Sequence, residues 1–139
     1  RFVKDRYRDS AEVVSVFISP LDSEEISEKS RRGKSLEEFL PDIMIDSLIL
    51  RARNEGKSFT RSLVDELVKR AEDSVREMKS SHEYDFVLPN HCYESDPRWK
   101  GEDIEGEPRK VVDVLHDIIM TGTSSYAPTG CKQLFSYYD

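Results

Sequence analysis

From Arg61 to Ser81 the apolar residues Leu63, Val64, Leu67, Val68, Ala71, Val75 and Met78 recur at spacings of three and four. That stripe predicts one long amphipathic helix, with Ser58 and Thr60 ready to cap its start. Behind it, Tyr84 to Leu88 is too apolar for an exposed edge and predicts a buried strand. Pro89 ends that strand, because proline cannot donate to a ladder. Residues Glu12 to Ile18 form a second run, rich in β-branched side chains. Its nearly continuous apolar character predicts a strand covered on both faces, as in the parallel sheets of α/β proteins. Ser19-Pro20 closes it, and Val3 to Arg8 ahead of it fits the end of a helix.

Between the two strands the pattern changes twice. Asp22 to Arg32 predicts a short polar helix, with Asp22 as cap, Glu25 completing a capping box and Gly33 suiting the end. A further short helix is expected from Ser35, which Pro41 should interrupt, or Pro41 should begin the next one. In Asp42 to Asn54, Ile43, Met44, Ile45, Leu48, Ile49, Leu50 and Ala52 cover more than one face. Such a helix is buried or docks on something, so it is expected to cap a site or make a subunit contact. After the second strand, Asn90 to Glu107 reads as a loop. Pro108 opens a last helix, whose Val111, Val112, Leu115, Ile118 and Ile119 repeat at helical spacing to about Met120. Gly122 to Gly130 reads as a linker and Leu134 to Tyr138 as an aromatic tail that docks locally. The chain thus divides into 1–20, 21–61, 62–120 and 121–139. Two strands do not make a stable sheet by themselves. Another chain or an N-terminal segment is expected to supply the rest, in keeping with a start at Arg1 rather than Met.

Charge narrows the function. The net charge is −7, which disfavours nucleic acid as a partner. No apolar run approaches the roughly 20 residues of a membrane span, and nothing resembles a secretory signal. Cys92 and Cys131 have no metal-ligand spacing and are expected as free thiols, so the expected location is cytoplasmic.

Few residues invite chemistry. Gly33-Lys34-Ser35 and Gly56-Lys57-Ser58 are not phosphate-binding loops, because Glu28 and Arg51 stand where such a loop needs its first glycine. Cations crowd the stretch from Lys29 to Arg70: Arg31, Arg32, Lys34, Arg51, Arg53, Lys57, Arg61 and Lys69 lie between. They suit either a solvated face or phosphate, whose transfer needs charge neutralisation more than covalent help. His82, His91 and His116 have no ligand spacing, and the neighbours His91-Cys92 rarely face each other productively. No metal site is expected. Glu94, Asp96, Glu102 and Asp103 fit a solvated acidic loop better than a cation site.

Val68-Lys69-Arg70-Ala71, Glu77-Met78 and His82-Glu83-Tyr84-Asp85-Phe86-Val87-Leu88 with Asn90 resemble the C-terminal half of guanylate kinases. That family has a KRL-type helix followed by a YDYVxxN-type strand. Val16-Phe17-Ile18-Ser19-Pro20 with Ser23-Glu24-Glu25 resembles its FIxPPSxxEL segment, Arg31-Arg32-Gly33 its RGRGT lid motif, and Val111 to Met120 its final helix. The resemblance spans residues 1 to 120. It implies an α/β fold: the C-terminal part of a P-loop kinase, a parallel sheet flanked by helices with a helix-rich lid inserted between two core strands. It implies phosphoryl transfer from ATP, with Mg2+, to a nucleoside monophosphate or similar small acceptor. Arg32 and Arg70 would be catalytic, on the donor phosphates. Arg31, Arg61 and Asn90 would bind the nucleotide, with Asn90 near its adenine. The family's N-terminal half, with its phosphate-binding loop, metal site and acceptor residues, would come from elsewhere. Pro89 and His91 depart from the pattern, where an aliphatic residue and an acid are usual, and the cover between Arg32 and Arg61 is longer than the family's lid. The alternative is an inactive guanylate-kinase-like scaffold that binds proteins, forming a homo-oligomer through residues 42–54.

Overall fold

The computed structural model describes residues 13–92, 96–100 and 104–124. Strands β1 (Val16–Ser19) and β2 (Phe86–Pro89) run parallel, with Val16 opposite Phe86 and Ser19 opposite Pro89. A reciprocal clamp sets this register. The Ser15 amide and hydroxyl both donate to Asp85 Oδ2, at 2.7 and 2.8 Å. The Asp85 and Phe86 amides return bonds to the Ser15 carbonyl at 3.0 and 3.1 Å. At the other end the Asn90 amide donates to the Ser19 carbonyl at 2.8 Å.

The strand period of two sends successive side chains to opposite faces. Phe86 and Leu88 pack with Val111, Val114 and Ile118 of helix α4 (Gly106–Thr121). Val87 points the other way, into a cluster with Leu21, Ile26, Leu36, Phe39, Leu40 and Met78. These come from the turn after β1 and from helices α1 (Ser23–Arg31), α2 (Leu36–Asn54) and α3 (Arg61–Lys79). The sheet is therefore a thin layer between α4 and the three helices that connect its strands. Burying each Leu or Val of this kind contributes roughly 1.5–3 kcal/mol. The α/β class and the covering of β2 on both faces are as expected. The expectation that β1 is likewise covered on both faces fails: Ile18 is 46% exposed and Val16 and Phe17 are only half-buried, because α4 packs mainly over β2 rather than β1. Among the described residues the sheet has two strands.

The apolar excess of the second helix has two partners. Its first half enters the sheet-facing cluster, while Leu48 and Ala52 pack on Leu67 and Ala71 of α3. Leu50 stays 42% exposed. Pro41 does not interrupt the helix, contrary to expectation: α2 is continuous from Leu36 to Asn54. The Ser35 amide bonds Glu38 Oε2 at 2.7 Å at its start. Leu36, Phe39 and Leu40 before the proline and Ile43 and Met44 after it join one cluster, and that burial offsets the hydrogen bond that proline cannot make.

Boundaries move slightly. The long helix ends at Lys79 and passes into a 3-10 turn, Ser80–Glu83. The loop after β2 contains a 3-10 turn, Pro97–Trp99, and gives way to α4 at Gly106. The helix end at Val3 to Arg8, the linker beyond Ser124, the aromatic tail, Cys131, Glu94, Glu102 and Asp103 lie outside the described residues.

Candidate functional site at the carboxyl ends of the strands

Because β1 and β2 are parallel, both release the chain on the same side of the sheet. After β1 the buried Ser19 hydroxyl donates to the Leu21 carbonyl at 2.5 Å and accepts from the Leu21 amide at 3.2 Å. This turn delivers Asp22 to the N-cap of α1. Asp22 and Glu25 form a full capping box: the Glu25 amide donates to Asp22 Oδ1, and the Asp22 amide to Glu25 Oε2, each at 2.8 Å. The box satisfies two orphan donors and fixes two carboxylates at one helix end.

After β2 the Asn90 side chain accepts from the Cys92 amide at 3.0 Å, a local turn of the kind Asn favours. His91 lies inside that turn and projects from it. Glu107, in the first turn of α4, receives the His91 amide at 2.9 Å and the His91 ring at Nδ1 at 2.5 Å, both on Oε1. The other ring nitrogen, Nε2, lies 2.8 Å from Glu25 Oε2. One imidazole thus joins α1, the loop after β2, and α4.

Electrostatics follow from this geometry. Burial works against charge on the His91 ring, but the hydrogen bonds to Glu25 and Glu107 outweigh it and raise its pKa above the ordinary value. Burial likewise works against charge on Glu107, yet the amide and ring of His91 bring its pKa down. Burial, reinforced by the Glu107 carboxylate, pushes the Cys92 thiol up. Cys92 is a poor nucleophile in that state, although its sulfur lies 3.5 Å from Glu107 Oε2 and 3.1 Å from the Arg98 guanidinium. His91 and Cys92 share Glu107 rather than forming a dyad. Asp96 caps the Pro97–Trp99 turn and pairs with Arg98 at 2.7 Å, which lowers its pKa to about 2.

The residues expected to meet nucleotide are spread out. Asn90 is at the carboxyl edge, bonded to Ser19 and Cys92. Arg32 caps the opposite end of α1 from Asp22, about 15 Å away along the axis, where it pairs with Glu28. Arg31 beside it donates to the Ser27 carbonyl at 3.4 Å. Arg70 is exposed on α3, eight positions or about 12 Å before Met78, which meets Ser19 at the sheet. Arg61 begins that helix, at the far end of the α2–α3 hairpin. Of the five, Asn90 alone joins the His91 cluster.

Asp22, Glu25 and His91 each offer one ligand atom within 4.8 Å of the others, close enough to share a metal ion. In the sequence Asp22 and Glu25 have the spacing of caps, and His91 has no ligand spacing. The signal lay in their position: two helix starts carrying acids each follow a strand, and parallel strands bring such starts together. Comparison with known proteins found no family model, no curated protein and no solved structure that matches the chain. Among the described residues no helix is long and apolar enough to cross a membrane.

Proposed function

We propose that this chain is the C-terminal portion of a guanylate-kinase-like nucleotide kinase that transfers a phosphoryl group from ATP to a nucleoside monophosphate or similar small phosphate acceptor. The observation that carries this reading is the parallel β1–β2 pair with α1, α2 and α3 inserted between its strands, the order that the short motifs imply. Asn90, the motif residue after β2, stands at the carboxyl edge, where open α/β sheets bind ligands. Ile18 of β1 is 46% exposed on the face that α4 covers mainly over β2, which suits a larger fold with a further element over β1. Arg32, Arg70 and Asn90 do not converge, so these residues do not by themselves fit a triphosphate and its Mg2+.

The test uses the polypeptide that supplies the remaining strands together with this chain. ADP release is followed with ATP and each nucleoside monophosphate. Turnover with one acceptor is expected, and Arg70→Ala should lower it about 100-fold once the remaining strands and bound nucleotide bring Arg70 to the donor phosphates, as loss of a charge-stabilising donor does. The unfolding midpoint should barely move, because exposed substitutions stay within about 0.5 kcal/mol. Failure to turn over any nucleoside monophosphate refutes the kinase reading.

One feature favours an inactive scaffold instead. Leu50, Phe59, Val64 and Val68 are between 42% and 45% exposed on or beside the α2–α3 hairpin, and Val64 and Val68 share one helix face. A protein-binding role, including self-association through 42–54, predicts that Leu50→Asp abolishes a complex seen by light scattering.

A further inference from the structure

We infer that Asp22, Glu25 and His91 form a binding site for a divalent transition metal of the zinc class. The inference is independent of the kinase reading.

Three observations meet at one point. The first is the donor set. Two carboxylates and an imidazole offer ligand atoms within 4.8 Å of one another. Ligands around a tetrahedral zinc sit about 3.4 Å apart, given bonds of about 2.0–2.2 Å. His91 Nε2 and Glu25 Oε2 are held 2.8 Å apart by a hydrogen bond; a metal takes the place of the proton between them and parts them by about 0.6 Å. Closing the widest separation takes at most about 1.4 Å on the same geometry, a movement that rotation of half-exposed carboxylates supplies.

The second is orientation. A histidine that binds metal usually passes its other ring N–H to a carboxylate, which fixes the tautomer and aims the free nitrogen. Glu107 Oε1 occupies that place at Nδ1, and it also holds the backbone amide of His91. The ring is therefore anchored on the side away from Asp22 and Glu25.

The third is rigidity and charge. The capping box uses Oδ1 of Asp22 and Oε2 of Glu25. A carboxylate has about four lone-pair positions, so both residues retain donor capacity while the box holds them. The amino end of α1 contributes about half a positive charge, against two carboxylates in the site and a third at Glu107. The local balance favours a cation.

The imidazole decides the class. Mg2+ and Ca2+ prefer oxygen ligands alone, whereas imidazole with carboxylate suits Zn2+ and its first-row neighbours. Three protein ligands leave a coordination position for water or a substrate oxygen.

The test is calorimetric titration of the chain, stripped with EDTA and dialysed, with Zn2+, and with Co2+ to obtain a visible spectrum. One equivalent should bind, and the Co2+ bands should be those of a nitrogen and oxygen site without thiolate. His91→Ala should weaken Zn2+ binding at least tenfold, and Glu107→Gln about 10- to 100-fold through the ring it orients. His116→Ala, an exposed histidine outside the cluster, should bind as wild type does. Circular dichroism of each metal-free variant confirms that it is folded; should His91→Ala not fold, Glu25→Gln takes its place, with the same expectation. Absence of binding, equal affinity with and without the His91 imidazole, or a thiolate band lost with Cys92→Ser would each overturn the assignment.

Discussion

Replacing Asp85 with alanine tests what sets the register on which the His91 cluster depends. Asp85 Oδ2 takes the Ser15 amide at 2.7 Å and the Ser15 hydroxyl at 2.8 Å in a partly buried setting. Hydrogen bonds to a charged group contribute roughly 1.5–3 kcal/mol each. The two share one acceptor atom and are partly solvated, so their sum falls short of additive; the expected loss is about 2–4 kcal/mol. With an unfolding entropy of about 2.1 cal/mol/K per residue, a chain of 139 residues has about 0.3 kcal/mol/K in total. The melting point should therefore fall by about 7–13 °C. Ser15→Ala removes only the hydroxyl, which donates to the Asp85 carboxylate and accepts from the Asp85 amide, and should cost about 1–2 kcal/mol. The double variant should cost less than the sum of the two, as residues in one network do. Thermal melts followed by circular dichroism, with urea titration as a second measure, decide the matter. A shift under about 2 °C for Asp85→Ala, or strict additivity with Ser15→Ala, would show that the clamp follows the register rather than setting it.

Two further predictions concern the proline and the histidine. Pro41→Ala should stabilise the protein by about 1–2 kcal/mol, because the alanine amide regains a bond to the Glu37 carbonyl while the unfolded chain gains some freedom; a lower melting point would mean that the proline ring packs too well to replace. The His91 tie should give stability a mildly acidic optimum, measured in EDTA as the melting-point difference between wild type and His91→Gln. With His91 raised in the folded state, its contribution is full below the unfolded value and is lost as pH rises through the folded one. With Glu107 lowered, its contribution is lost as pH falls through its own folded value. The difference should thus shrink toward pH 8 and again in strong acid, and a flat profile would refute the tie.

Local chemistry was the legible part of this chain. The Asp22–Glu25 capping box needs only residues three apart, and it is present as read. The α3 stripe depends on period and the two strand runs on continuous apolar character; the stripe and the second run became their elements within a few residues, whereas the Glu12–Ile18 run is a strand only over Val16–Ser19. The pairing partner of each strand was not readable, because Ser15 and Asp85 recognise each other across 70 positions. Pro41 misled for a related reason. A local penalty was visible, but the cluster that outweighs it is assembled from four elements. The candidate site was hidden in the same way. Glu25, His91 and Glu107 each have a routine local role as cap, turn residue or first-turn acid. Only the parallel pairing places them around one ring.

The Ser15–Asp85 clamp also bears on the order of folding. Bringing together residues 70 positions apart costs about 4 kcal/mol in loop-closure entropy for a flexible chain. The six-residue connection between α2 and α3 costs about 1.6 kcal/mol on the same scale, and these helices share the Leu48, Ala52, Leu67 and Ala71 contacts. The hairpin should therefore form early and shorten the effective loop, with strand pairing arriving late. Damage to the clamp would then appear mainly as faster unfolding, with the folding rate little changed. The His91 cluster, built on those strand ends, would be the last part of the molecule to assemble and the first to come apart.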